Sequence, residues 1–240
     1  MKRYFKNGEE RIWIDPDEIE EIVSVELQKA KLMPGLDDPV VDLEKFVEGH
    51  LKAHFDPYAE LDFSVLGETE FRIGAPPEVS INKNLTGAAL DDDFSDLGLL
   101  GRWRATVAHE ATHVLVHRCL FNLNDDQPSL FDDPEPAEPV VKHLQRCLKR
   151  DVLFRGGGEW KEVQANMGMA ALLMPKALFV AAFRQEKERA GLDRVDRCSD
   201  IATILVEKFA TRFKVSKQAT RIRFETLQLL STPGQIELLG

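Results

Sequence analysis

The segment that most constrains this chain is RATVAHEATHVLVH, residues 104–117, which carries three histidines at a spacing of four residues. Apolar and small residues recur around the histidines at helical spacing, and this pattern predicts a buried helix. On a helix, residues four apart lie one above the other on the same face. His109 and His113 can therefore offer their imidazole nitrogens to one metal ion.

Glu110 follows the first of these histidines directly. One residue along a helix corresponds to a turn of about 100°, so its carboxylate lies beside a metal held by His109 and His113 and does not bind it. A carboxylate in that position can act as the general base for a zinc-activated water. The HExxH pattern thus predicts a catalytic zinc site with Glu110 as the catalytic residue. The alternative is a core helix that happens to carry histidines.

His117 continues the same spacing, but it lies about 12 Å along the helix axis from His109. One ion cannot easily reach both rings. We therefore expect His117 to support a metal ligand or to contact the substrate, without binding the metal itself. His143 is an alternative third ligand outside this helix.

A second helix is predicted in WKEVQANMGMAALLMP, residues 160–175. Glu162 and Asn166 lie four residues apart on one of its faces, and small residues such as Gly168 allow it to approach the first helix closely. Glu162 is therefore the predicted third ligand of a His–His–Glu site, a donor set that leaves a fourth position open in catalytic zinc proteins. Asn166 is a candidate for supporting a ligand or contacting the substrate.

The rest of the pattern places helices on both sides of a region of short strands. Alternation with Gly and Pro breaks predicts strands and hairpins between about Leu61 and Ile81. This order predicts an α+β fold, mostly helical, with a small antiparallel or mixed sheet before the HExxH helix. The other predicted helices lie at Asp17–Ala30, Asp42–Leu51, 159–173, 176–190, 198–213 and 217–230.

Residues 122–140, NLNDDQPSLFDDPEPAEPV, contain six acidic residues, four prolines and no basic residue. Prolines and unbalanced charge at this density predict an irregular surface loop. The alternative is a lid that gates access to a site.

Composition restricts the setting of the protein. The N-terminal segment lacks the apolar core of a secretory signal, and no apolar run approaches the roughly 20 residues that span a bilayer. Three widely spaced cysteines, Cys119, Cys147 and Cys198, argue against a disulfide framework. We therefore expect a cytoplasmic protein without a membrane partner. Cys147 could be a further zinc ligand, although an ordinary thiol is the interpretation we favour.

The formal net charge of −10 disfavours general attraction to nucleic acid. The C-terminal segment is nevertheless basic, which would suit a DNA-reading helix. We favour a packed helix with a basic solvent-facing side and do not expect DNA binding. The basic residues are Lys208, Arg212, Lys214, Lys217, Arg221 and Arg223.

Three stretches of the chain resemble the ImmA/IrrE family of zinc metallo-endopeptidases. Residues 104–117 resemble the family pattern RFTLAHELGHxxLH, and EVQANMGMAALLMP (162–175) resembles ExxANxFAxxLLMP. FKVSKQATRIRFETLQL (213–229) is similar to the helix-turn-helix-like tail FxVSxxAxxxRLxxLGL, and PVVDLEKFVEGHL (39–51) is more weakly similar to the segment before the family's sheet. Together they cover roughly half of the chain in the family's order. The departures are Ala105 for Phe, Ala111–Thr112 for Leu–Gly, and Gly168 for Phe.

The resemblance implies a minimal zincin-like fold, with a metallopeptidase domain over residues 1–200 and a helix-turn-helix-like tail over 201–240 packed on it. It implies zinc bound by His109, His113 and Glu162, with Glu110 as the catalytic glutamate of an endopeptidase. The implied substrate is a helix-turn-helix transcriptional repressor of the phage-repressor type, whose cleavage would relieve repression of a mobile element or a stress response. The alternative is a DNA-binding or toxin–antitoxin-type regulatory protein that uses this fold mainly to bind a partner.

Overall fold

The computed structural model describes residues 2–6, 9–72, 74–90, 97–121, 141–148 and 159–231. Of residues 6, 9, 10, 121 and 141–148 it describes the backbone only. The predicted acidic loop, 122–140, therefore lies outside the described residues.

The described chain is a mostly helical α+β structure, as predicted. Its strands are β1 (Lys2–Lys6), β2 (Glu9–Trp13), β3 (His54–Ala59), β4 (Val65–Arg72), β5 (Glu78–Asn82) and β6 (Val141–Leu148). Its α-helices are α1 (Pro16–Lys29), α2 (Lys83–Leu90), α3 (Leu97–Thr112), α4 (Arg118–Phe121), α5 (Trp160–Leu173), α6 (Lys176–Ala190), α7 (Asp200–Phe213) and α8 (Lys217–Thr226). Two π-helical segments lie at Lys45–His50 and His113–His117.

The larger sheet has the strand order β3-β5-β4-β6 and is mixed, because β3 pairs with β5 in parallel while the other pairs are antiparallel. β4 and β5 lie in the region where strands were predicted. The prediction missed β3 just before that region and β6, which follows the HExxH helix. It also missed the separate antiparallel hairpin of β1 and β2.

Several helix boundaries differ from the prediction for local reasons. The second predicted helix, Asp42–Leu51, is π-helical over Lys45–His50. α7 begins at Asp200 because the Ser199 side chain caps it, accepting a hydrogen bond from Ala202 N at 3.1 Å. α8 ends at Thr226 and not at 230. Gln228 turns the chain with a φ of 52°, and Leu229 N donates to Phe224 O at 3.0 Å.

Two glycines allow α3 to approach its neighbours on both sides. A Cβ added at Gly67 on β4 would lie 2.8 Å from Thr106 Cγ2, and one added at Gly168 on α5 would lie 2.3 Å from Thr112 Cγ2. At separations this short, a side chain at either position would require the facing side chain or the backbone to move. Thr112 and Gly168 both depart from the family pattern, and they face each other, so the larger residue on α3 meets the smallest possible residue on α5.

The C-terminal helices pack through aromatic side chains. The Phe179 ring of α6 lies 4.9 Å, between centroids, from Phe209 of α7 and 4.9 Å from Phe224 of α8. Arg223, which is buried on α8, donates to Met174 O at 3.0 Å and to Glu20 Oε2 at 2.9 Å. These contacts join α8 to α1 and to the end of α5.

Within the described ranges, no single helix is long and apolar enough to cross a membrane. α5 and α6 reach the required length and composition together, but they are bent by 51° relative to each other.

Candidate metal centre

α3, the π-helical segment after it and α5 bring the three predicted ligands together. His109 Nε2 lies 3.0 Å from Glu162 Oε2 and 3.1 Å from His113 Nε2. His113 Nε2 lies 3.4 Å from Glu162 Oε1. One ligand atom from each residue falls within 4.8 Å of the other two, and all three side chains are buried. This group could hold a metal ion.

The donor set fits a divalent transition metal. Two imidazole nitrogens and one carboxylate are ligands that zinc accepts readily, and three protein ligands are typical of its catalytic sites. The ligand atoms converge in the interior, where a carboxylate needs a compensating positive charge. The residues present therefore fit a bound cation.

The surroundings of Glu162 and His113 favour the protonation states that metal ligands need. Burial acts to raise the pKa of Glu162, but its close contacts with His109 and His113 outweigh burial and lower it below its ordinary value. Burial likewise acts to lower the pKa of His109, which the Glu162 contact reverses into a net increase. Burial lowers the pKa of His113 to about 4. Glu162 is thus ionised and His113 neutral near pH 7, as metal ligands must be.

Glu110 lies next to the group, and the described residues hold only one of its two carboxylate oxygens. Thr69 Oγ1, on β4, donates to Glu110 Oε2 at 2.6 Å. Oε1 is buried and accepts no hydrogen bond from the described residues. Burial raises the pKa of this carboxyl to about 7, against the weaker lowering effects of the His109 charge and the Thr69 hydrogen bond. Glu110 can therefore take up and release a proton near neutral pH.

Both residues proposed as supporting candidates contact the ligands. Asn166 Oδ1 lies 3.1 Å from His109 Nδ1, on the side of the ring away from Glu162. His117 Nδ1 lies 2.9 Å from His113 Nδ1, so these two rings meet edge to edge through the nitrogens that do not face the metal group. The other nitrogen of His117 lies 3.1 Å from Gln164 Oε1.

Two residues at the site were missed by the sequence analysis, Thr69 and Gln164. Thr69 lies two residues after Gly67 on β4, and the alternation of a strand places both toward α3. That alternation was the available signal, once β4 was assigned. Gln164 lies between Glu162 and Asn166 in an otherwise small and apolar stretch of α5, but its partners lie in His117 and in β2.

The remaining predicted candidates are His143 and the three cysteines. The side chains of His143 and Cys147 lie outside the described part of the chain. Cys119 and Cys198 are free thiols, half-buried and exposed respectively.

Comparison with protein-family models, with curated proteins and with solved structures found no match to this chain. Its relationship to the ImmA/IrrE family therefore stays a prediction, based on the motifs.

Proposed function

We propose that this chain is a zinc-dependent peptide-bond hydrolase, in which His109, His113 and Glu162 hold the ion and Glu110 is the general base. The observation that carries the proposal is the state of Glu110 Oε1, which is buried without a described hydrogen-bond partner beside the ligand group. A metal that only stabilises a fold requires no such group, because closed structural sites contain ligands and no base. A base requires an oxygen that is free to take up a proton, and none of the described residues donates a hydrogen bond to Glu110 Oε1.

Bound zinc would supply the Lewis acid that acidifies a water and polarises the scissile carbonyl. The residues of the chain have separate tasks in this reaction. Glu110 takes up a proton at Oε1 and returns it to the leaving amine, while Thr69 holds Oε2 in place. The burial of His109 and Glu110 excludes bulk water, which strengthens the charge interactions inside the site.

The substrate class in this proposal comes from the family resemblance. We propose an endopeptidase of the ImmA/IrrE type that acts in the cytoplasm on a phage-repressor-like helix-turn-helix regulator and so relieves repression. The Thr112–Gly168 contact supports this relationship, because it accounts for two departures from the family motifs as one compensated change in packing.

A DNA-binding function has less support from the charges of the tail. Lys208 forms an ion pair with Glu186, and Lys217 forms one with Glu207 at 2.5 Å. Arg223 is buried. Arg212 donates to Leu36 O. Four of the six basic side chains are therefore engaged within the protein, which leaves fewer charges for contacts with phosphates.

The test compares wild type with Glu110→Gln, which keeps the shape of the side chain and removes its ability to take up a proton. Glu207→Gln is the control, since it alters an exposed carboxylate far along the chain. Zinc content is measured by elemental analysis. Hydrolysis is measured as new N-termini in a proteome-derived peptide library, and as cleavage of a purified helix-turn-helix repressor of the phage-repressor type.

We expect one zinc per chain in all three proteins and a loss of about 10²–10⁴-fold in cleavage rate for Glu110→Gln only. Wild type without stoichiometric zinc, or a Glu110→Gln variant with the wild-type rate, would contradict the hydrolase. Cleavage of library peptides without cleavage of the repressor would contradict only the proposed substrate.

A further inference from the structure

We infer that a hydrogen-bond relay from the backbone carbonyl of Ile12, through Gln164 and His117, fixes the tautomer of His113 so that its Nε2 presents a lone pair to the metal group. The inference rests on the proposed metal site and names the residues that orient one of its ligands. It makes His117 and Gln164 positioning residues, and it includes the N-terminal hairpin in the site.

The direction of the relay follows from Ile12. Gln164 Nε2 lies 2.9 Å from Ile12 O, and a carbonyl oxygen can only accept. The amide NH₂ must therefore face Ile12, which leaves Gln164 Oε1 facing His117 Nε2 at 3.1 Å. Turning the amide over would place two oxygens 2.9 Å apart. Since Oε1 can only accept, His117 Nε2 carries the hydrogen.

The remaining steps transfer this polarity to the metal group. A neutral imidazole has one N–H and one lone pair, so His117 Nδ1 is an acceptor. His113 Nδ1, 2.9 Å away, must then donate. The hydrogen of a neutral His113 is thereby placed on Nδ1, and its Nε2 is left as the acceptor beside His109 and Glu162. Only that nitrogen can bind a metal without first losing a proton.

In the reverse arrangement, His117 Nδ1 would donate to His113 Nδ1. Since His117 Nε2 already donates to Gln164 Oε1, His117 would then carry two hydrogens and a positive charge. Its ring is 1% exposed, and its described contacts are His113, Gln164 and the Trp160 ring, none of which is a carboxylate. An imidazolium there would be a buried charge with no described carboxylate in hydrogen-bond contact with it. Glu162 competes weakly for a hydrogen on His113 Nε2, since its oxygen is 3.4 Å away and hydrogen bonds of this kind are commonly 2.7–3.2 Å long.

The relay gives a role to the hydrogen bond by which Gln164 on α5 contacts Ile12 on β2 of the N-terminal hairpin. Gln164 and Ile12 lie 152 positions apart in the chain. Outer hydrogen bonds of this type typically change metal affinity by about 10–100-fold when they are removed. We expect losses of that size for Gln164→Met, which keeps the length of the side chain, and for His117→Phe, which keeps its ring. Val116→Ala is the control, because Val116 is buried on the same segment and takes no part in the relay.

The experiment measures the tautomer directly in the full chain. Long-range ¹H–¹⁵N spectra of metal-free wild type should show His113 with its hydrogen on Nδ1 and His117 with its hydrogen on Nε2. In Gln164→Met, His113 should lose its exclusive Nδ1–H form, and zinc affinity by chelator competition should fall about 10–100-fold, with Val116→Ala near wild type.

A wild-type His113 with its hydrogen on Nε2, or relay variants with wild-type zinc affinity, would overturn the inference. The spectra of the metal-free protein separate this failure from that of the proposed function. A wild type that shows the expected tautomers and binds no zinc would refute the metal site and leave the relay standing.

Discussion

The contact between Gly168 and Thr112 predicts how strongly the metal group depends on the approach of α5 to α3. Gly168→Ala places a methyl 2.3 Å from Thr112 Cγ2 and 3.1 Å from its Cβ. Ordinary carbon contacts are about 3.5–4.0 Å, so the two helices must separate by roughly 1 Å or Thr112 must move. A shift of that size would carry Glu162 on α5 away from His109 Nε2, now 3.0 Å from it.

Two opposing effects determine the magnitude. Replacing Gly by Ala inside a helix stabilises it by about 1 kcal/mol when the methyl has room. Overpacking a close contact costs about 1–3 kcal/mol. Thr112→Ala removes Cγ2 and Oγ1, which relieves most of the clash. Gly168→Ala should therefore be neutral to destabilising by about 2 kcal/mol in wild type and stabilising in the Thr112→Ala protein, a coupling energy of about 1–3 kcal/mol.

The assay is urea unfolding of the four proteins with metal removed, so that metal binding does not enter the free energies. Zinc affinity of the same four proteins then reports the position of Glu162. Gly168→Ala should weaken zinc binding, and Thr112→Ala in the same chain should restore part of it. Effects of the two substitutions on the unfolding free energy that add within about 0.5 kcal/mol would refute the close approach. Equal zinc affinities in all four proteins would show that the position of Glu162 does not depend on this contact.

Two further predictions concern Glu110. Thr69→Val removes the hydrogen bond to Glu110 Oε2, which is worth about 1.5–3 kcal/mol for a charged acceptor. The pKa of Glu110 should therefore rise, and the acidic limb of the pH–rate profile should move to higher pH. An acidic limb at the wild-type pH would argue against this role of Thr69. Burial raises the pKa of Glu110 from 4.5 to about 7, so the metal-free folded state binds a proton that the unfolded state has released, and stability is lost as the pH rises through 7. Metal-free Glu110→Gln should therefore gain stability relative to wild type in urea unfolding between about pH 5 and pH 8, at most about 3 kcal/mol, and a difference independent of pH would contradict the raised pKa.

Helix periodicity was sufficient to predict which residues point to the metal group from each of the two helices. The spacing of His109 and His113 and the carboxylate at Glu162 could be read from the sequence, because four residues bring side chains to one face of any regular helix. The same argument separated His117 from the metal group. It did not anticipate that His113–His117 is π-helical, since the choice between α and π hydrogen bonding depends on packing.

The supporting contacts could not be predicted in this way because they join distant parts of the chain. Thr69 reaches Glu110 across 41 residues, and Gln164 reaches Ile12 across 152. Alternation on β4 indicates which face Thr69 lies on but does not identify Glu110 as its partner, and β1, β2 and β6 were not expected at all. Local periodicity predicts which face of an element is buried, while the partner on the other side depends on strand order and helix packing.

The features that cost stability in this chain meet at one place. Glu110 buries a carboxylate oxygen that has no hydrogen-bond partner among the described residues, and a residue other than glycine at positions 67 and 168 would hold the strand or helix more firmly. π-Helical segments are also uncommon and occur often at functional sites. Packing alone does not explain the buried carboxyl of Glu110, because an apolar residue in its place would fill the same space without the cost of burying a carboxyl group. The proposed hydrolase accounts for these features together: the glycines bring β4 and α5 against α3, where a cation and a base would have to lie in contact, and the Glu110 oxygen without a described partner would be the group that takes up the proton.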